Sequence, residues 1–315
     1  MQRLRSYSIE LILVVTLGVA VVFFGYLGYG LLQPDLVNDT FSGTRALDTA
    51  KTMVEFGPRV TGTGSNAKMG DWLIAQLRTL GWDVVIQPFT VSEGVEGRNI
   101  IAVQSNTKPG APVILLTTPY DTRLAADADA NPNNRQRSGP GANEAASGAA
   151  LLVELARVLG VQSTGHTICL AFFDAEQNGG LPGWDANMGS TVFVRSLPTS
   201  VPRCASPRVV VSLDQVGAPG QVFPQTDGAD PAFQSAIWQT AANLDYEATF
   251  TNTETIKSNP AGVQAAFAAE KIPTVTISGV DFPLIHTMQD TVDRLSAETL
   301  QATGMTLETW LETEP

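Results

Sequence analysis

The chain has 315 residues, with 31 acidic against 19 basic side chains and a formal net charge of −12, so nucleic-acid binding has no electrostatic footing. Setting aside a hydrophobic N-terminus leaves enough chain for one large α/β domain with a substantial core and no room for a second catalytic domain. Cys169 and Cys204 are too few for a disulfide scaffold and lack the paired spacing of a cysteine-type zinc site. Cys169 lies in an apolar run and reads as a buried hydrophobe, and a bridge between the two stays open.

In chain order, the first element is the uncharged run from Leu11 to Leu32. At a rise of about 1.5 Å per residue it is long enough to cross a hydrocarbon layer of ~30 Å as one helix. Arg3 and Arg5 precede it, whereas Asp35 and Asp39 follow, so the positive-inside rule places the N-terminus in the cytoplasm and the rest outside. The length argues against a buried core helix, and the missing A-x-A site argues against a cleaved signal peptide. The expected division is residues 1–34 as cytoplasmic stub and anchor, and 35–315 as an extracytoplasmic domain.

Thr44 to Phe56 and Ser65 to Leu80 have helical periodicity, the second ending at Gly81, a residue suited to a helix stop. The period then shortens. Trp82 to Val91, Arg98 to Ser105, Val113 to Thr118, Thr167 to Phe173, Arg208 to Leu213 and Thr274 to Ser278 are short β-branched or apolar runs and read as strands. Helices are expected at Glu144 to Leu159, Met188 to Leu197, Pro231 to Ala242 and Gly262 to Glu270, with a terminal helix from Ser296, its cap, to Leu311. The alternation predicts a mixed, largely parallel central sheet flanked by helices.

In such sheets ligands bind beyond the carboxyl ends of the strands. Those ends carry Asp121, the run Asp174–Ala175–Glu176–Gln177, and Asp214, while loops deliver Glu144, His286 and Asp290. Carboxylates with an imidazole suit zinc, which takes oxygen and nitrogen ligands and keeps a position for water. Taken singly, each has a plainer reading. Glu144 complements the positive end of its helix, Glu176 and Asp174 form a solvated strand-end pair, Asp214 ends a strand, and His286 is a satisfied loop histidine. His166, with no acidic companions in sequence, is structural. A serine hydrolase is disfavoured because no G-x-S-x-G elbow occurs and only two histidines are present.

The segments GANEAASGAALLVELARVL, AFFDAEQ, SLDQVGAPG and IHTMQDT occur in that order at domain-scale spacing, preceded by FGPRVTGTGSNAKMGDWLIAQLRTLGWDVVIQPFT and RNIIAV. This wording resembles the zinc aminopeptidase and glutaminyl-peptide cyclotransferase family over nearly everything after the anchor. EQNGGLPGWDANMGS and GAPG are similar to the cyclase branch. The resemblance implies a zinc-exopeptidase fold, action on peptide or protein N-termini, and zinc: one ion with three protein ligands in the cyclases, two bridged by a carboxylate in the aminopeptidases.

It also implies roles. Glu144 stands where the family usually has the central aspartate, Glu176 falls on the general base, and Gln177 on a ligating glutamate. Asp214 falls on a further ligand or proton-relay carboxylate and His286 on the late imidazole ligand, with Asp121 and Asp290 supporting them. Pro119 occupies the position of the histidine in the family's His-x-Asp, so a second metal loses its imidazole ligand, and Val263–Gln264 occupies that of an Asp-His pair, which removes a carboxylate that elsewhere helps hold the reacting proton. The expectation is one Zn2+ held by Glu144, Gln177 and His286 with Asp214 close by, or a catalytically silent relative that keeps the fold for peptide or protein binding.

Overall fold

The computed structural model describes residues 15–18, 20, 40–91, 94–105, 107, 110–159, 165–257, 259 and 262–314. Residues 15–18 and 20 are helical; the remainder of the expected anchor, 11–32, lies outside the described residues. Among the described residues no helix is long and apolar enough to cross a membrane. The chain divides into two units, Met1–Asp39 and Thr40–Pro315, and the second holds every strand among the described residues.

Six strands build its main sheet: β1 (Asp83–Thr90), β2 (Glu96–Val103), β3 (Val113–Pro119), β4 (Thr167–Phe173), β5 (Val209–Asp214) and, last in the chain, β8 (Thr274–Ser278). Their spatial order is β1-β2-β4-β3-β5-β8. β1 pairs antiparallel with β2, and β2 with β4, whereas β4, β3, β5 and β8 run parallel. The expected mixed, largely parallel sheet is therefore present, and its four parallel strands bring their carboxyl ends to one edge.

β4, with the sequence TICLAFF, is buried along its whole length, as a central parallel strand covered on both faces must be. Ile168, Leu170 and Phe172 point to one face, where they join the helices α1 (Gly43–Glu55), α2 (Gly64–Thr79), α3 (Ser147–Leu159) and α7 (Ala297–Thr313). Cys169, Ala171 and Phe173 point to the other, against Phe193 and Leu197 of α4 (Met188–Ser200) and Phe267 of α6 (Gln264–Ala269). On that second face Cys169 is bridged to Cys204, which ties the turn after α4 to the sheet.

Two strands are additions to the expected set. β6 (Phe223–Thr226) and β7 (Phe250–Ile256) form a separate parallel pair with an irregular register after Pro224, flanking α5 (Pro231–Asn243). β6 is four residues long with an internal proline, and β7 reads FTNTETI with its middle exposed. Neither carries the apolar alternation that marks a strand.

Candidate active site

Glu144 enters the site from a π-turn, Ala142–Ala146, inserted between the long 122–141 loop and α3. The carboxylate of Asp290 seals that turn, accepting the N–H of Asn143 at 2.7 Å and of Glu144 at 3.1 Å. Gly141 begins it with φ +58, and a Cβ there would run into the Thr122 methyl. From beneath, fully buried Arg59 donates to the carbonyls of Pro140 at 2.8 Å and Gly141 at 2.6 Å. Burial lowers the Arg59 guanidinium to about 10, which leaves it charged at neutral pH beside Glu144, Asp290 and Asp121. Burial likewise raises Asp290 to about 7, with the charge of Glu144 adding to the effect.

Facing Glu144 is His286, itself at a positive φ of 55°. Its Nε2 lies 3.0 Å from Glu144 Oε1, and its Nδ1 lies 4.0 Å from Asp127 Oδ1. The close pair is not aligned as a hydrogen bond, and both atoms are buried without a hydrogen-bonding partner. Buried polar atoms are normally paired. Two potential ligand atoms converging on the same small volume, with no hydrogen bond to either, fit a cation. Close by, Gln177 Nε2 makes a long 3.4 Å contact with the Glu144 backbone carbonyl. Among the described residues no three His, Cys, Asp or Glu side chains are grouped to hold a metal ion. The set thus fits one ion on a carboxylate and an imidazole, with a neutral amide beside them.

Glu176 is treated differently. At the end of β4 the backbone turns through Ala175, at φ 58°, and the N–H groups of Glu176 and Gln177 donate to the buried Asp121 carboxylate at 3.0 and 3.2 Å. The Glu176 side chain then meets the start of α4, where Ser190 N–H donates to Oε1 at 2.6 Å and Ser190 Oγ to Oε2 at 3.0 Å. Gly189 makes this approach possible, since a Cβ there would strike the Asp174 carbonyl oxygen. Burial raises Glu176 to about 8 despite those two hydrogen bonds. Asp214, at the end of β5, is raised to about 6, mainly by loss of solvent and further by the charge of Glu144, with His286 opposing.

The strand-end pair expected to be solvated is not. Asp174 is fully buried and accepts from Thr61 Oγ1, Asn66 Nδ2 and Ala175 N–H on one oxygen, and from Arg98 N–H and Tyr120 OH on the other. It braces the turn that delivers Glu176. Burial pushes the neighbouring Asp121 well above the ordinary carboxylate range, with the charge of Asp174 adding to it.

Glu176, Gln177 and Asp214 line a cavity of about 300 Å³ together with Pro119, Val263 and Lys257. Glu144 and His286 do not line it. Sequence reasoning missed Ser190, Arg59 and Asp127. Ser190 and Arg59 lie inside the family-like segments, in ANMGS and FGPRV, but only the fold shows which carboxylate or carbonyl each one meets.

A family model described as Peptidase family M28 matches residues 99–311, more than half of the chain. Among solved structures, the glutaminyl cyclase of Porphyromonas gingivalis superposes with a TM-score of 0.80 at 30% identity, covering 87% of this chain and 99% of that one. A leucine aminopeptidase precursor from Bacteroides thetaiotaomicron gives 0.80 at 28%, covering 88% and 98%. Among curated proteins, a probable zinc metalloprotease of Leptosphaeria maculans is 27% identical over 177 residues, 49% of this chain. The chain spans only 40% of that protein's length.

Proposed function

As a member of peptidase family M28, the chain comes with a reaction class, and we propose that it is a zinc-dependent enzyme acting on peptide N-termini, either removing the first residue or cyclising an N-terminal glutamine. The observation that carries this reading is the Glu144–His286 pair, two buried donor atoms 3.0 Å apart with no hydrogen bond. These two residues would hold the ion, with Gln177 and Asp214 beside it. When bound, zinc supplies Lewis-acid polarisation of the reacting carbonyl oxygen.

The chain's own residues supply the rest. Asp290 and Arg59 fix the turn that aims Glu144. Asp121 fixes the backbone at Glu176, and Ser190 holds its carboxyl at the wall of the cavity. From there Glu176 takes a proton from water or the substrate amine and returns it to the leaving group. Asp214 lines the same cavity as a second proton-accepting group.

The apolar run 11–32 and its flanking charges support a single-pass anchor with the catalytic unit outside the cytoplasm. The Cys169–Cys204 bridge is consistent with an oxidising compartment.

A silent relative is the competing reading, favoured by Pro119, Gln177 and Val263 where active relatives carry ligating or proton-holding groups. Zinc content of the purified chain, followed by turnover of aminoacyl and glutaminyl N-terminal substrates, separates the two. Near-stoichiometric zinc with turnover lost in Glu176→Gln supports the enzyme; no zinc, or equal rates in both proteins, supports the silent relative.

A further inference from the structure

Arg123 lies outside the cavity lining and, as a cation, offers no atom to a metal, yet every nitrogen of its guanidinium is committed. Nε donates to Asp127 Oδ1 at 2.9 Å and Nη2 to Oδ2 at 2.7 Å, a fork that meets both oxygens of the flat carboxylate. Nη1 turns the other way, donating to the Gln177 carbonyl at 2.6 Å and the Gly179 carbonyl at 3.1 Å. One side chain thus joins the 122–141 loop to the turn after β4 that carries Gln177.

The same loop grips the segment that carries His286. Asp127 Oδ1 lies 4.0 Å from His286 Nδ1. That is too far for a direct hydrogen bond, but near enough for the carboxylate charge to favour the proton on Nδ1 and leave the Nε2 lone pair facing Glu144. The next residue, Ala128, donates its N–H to the His286 carbonyl at 3.3 Å, and Asp129 Oδ2 accepts the Met288 N–H at 2.9 Å. These bonds matter because His286 has φ 55°, a backbone that a residue other than glycine keeps only where its surroundings determine it. Contacts therefore run without a break from the Gln177 backbone through Arg123 and Asp127 to the His286 ring. A lysine ammonium, a single point of charge, cannot hold a two-oxygen fork and two carbonyls on its far side at once.

On the reading that Glu144 and His286 hold zinc with Gln177 beside it, we infer that Arg123 and Asp127 are positioning residues for that site: acting as one link, they fix the His286 ring and the Gln177 backbone relative to each other. A pair that only stiffened the loop would act on stability and leave the affinity of the folded chain for zinc where it was.

The test is the zinc affinity of the full-length chain, read by chelator competition, beside the melting temperature of the chelator-treated chain. Arg123→Lys and Asp127→Asn should each weaken zinc about tenfold, the low end for groups that orient a ligand. The double variant should also lose about tenfold rather than a hundredfold, because both changes cut the same link. With Asp127 40% exposed, the pair adds little to stability, so the melting temperature should stay within about 2 °C in all three variants. Unchanged zinc affinity in both single variants, losses that multiply in the double one, or a lower melting temperature with affinity retained overturns the positioning role and leaves the zinc site standing. An unaltered chain that binds no zinc overturns both the positioning role and the reading beneath it.

Discussion

Glu144 and Glu176 are two buried carboxylates on the same edge of the sheet, and the fold treats them in opposite ways. Each is aimed by another carboxylate that holds its backbone, Asp290 for Glu144 and Asp121 for Glu176. Beyond that the likeness ends. Both oxygens of Glu176 are taken by Ser190, whereas Glu144 Oε1 and the His286 Nε2 beside it are bonded to nothing. A buried polar atom left unpaired costs about 1–3 kcal/mol, and two such atoms 3.0 Å apart are the pair that the proposed ion would satisfy together. The Glu176 corner is closed by hydrogen bonds, and the Glu144 corner leaves two buried polar atoms without one.

The sharpest way to break this division of labour is Glu176→Gln. The amide retains both contacts, its oxygen accepting the Ser190 N–H and its nitrogen donating to Ser190 Oγ, but it has no proton to exchange. Turnover should fall by about 10²–10⁴-fold while zinc content stays level. Loss of zinc in this variant, measured by elemental analysis, would mean that the two corners are not separate.

Next in size is Asp290→Asn, which acts on the open corner alone. The Asn143 and Glu144 N–H groups then share one acceptor oxygen and meet an amide nitrogen, so Glu144 loses its aim. Zinc affinity should drop roughly 10–100-fold, the usual consequence of losing a group that orients a ligand. Smaller still is the gain from Gln177→Glu, which restores a charge beside the cation; we expect about tenfold tighter zinc binding. An unchanged affinity in a chelator competition would place Gln177 away from the ion.

The open corner was the more legible of the two in the sequence. Glu144, Gln177 and His286 are marked by the wording around them, and the six strands of the main sheet follow from short β-branched or apolar runs. Ser190 was not legible, because its importance lies in where α4 starts relative to β4, a packing relation fixed by Gly189. Nor was Asp174, which as a strand-end acid looks solvated until Thr61, Asn66 and Tyr120 are folded around it. β7 escaped for a different reason: TNTET pairs with β6 through its backbone and buries few side chains, so it leaves no apolar pattern.

The smallest effect separates the corners by pH rather than by mutation alone. Glu176, Asp290 and Asp214 are raised to about 8, about 7 and about 6 in the folded chain, while unfolded carboxyls titrate near ~4. Between these limits the unfolded chain has released protons that the folded chain still binds, so stability is lost as pH rises through the folded values. Asp127 and Asp129, held low chiefly by Arg123 and by the Met288 N–H, add the opposite slope only at more acidic pH. The chelator-treated chain should therefore melt several degrees lower at a pH of about 8.5 than at about 5.5, since ~1 kcal/mol moves Tm by roughly 2–4 °C in a domain of this size. Glu176→Gln, which cannot ionise, should flatten that slope most, and His286→Ala should leave it nearly unchanged because the raised carboxyls owe their shifts chiefly to burial. A slope that follows His286 instead would assign the pH response to the open corner.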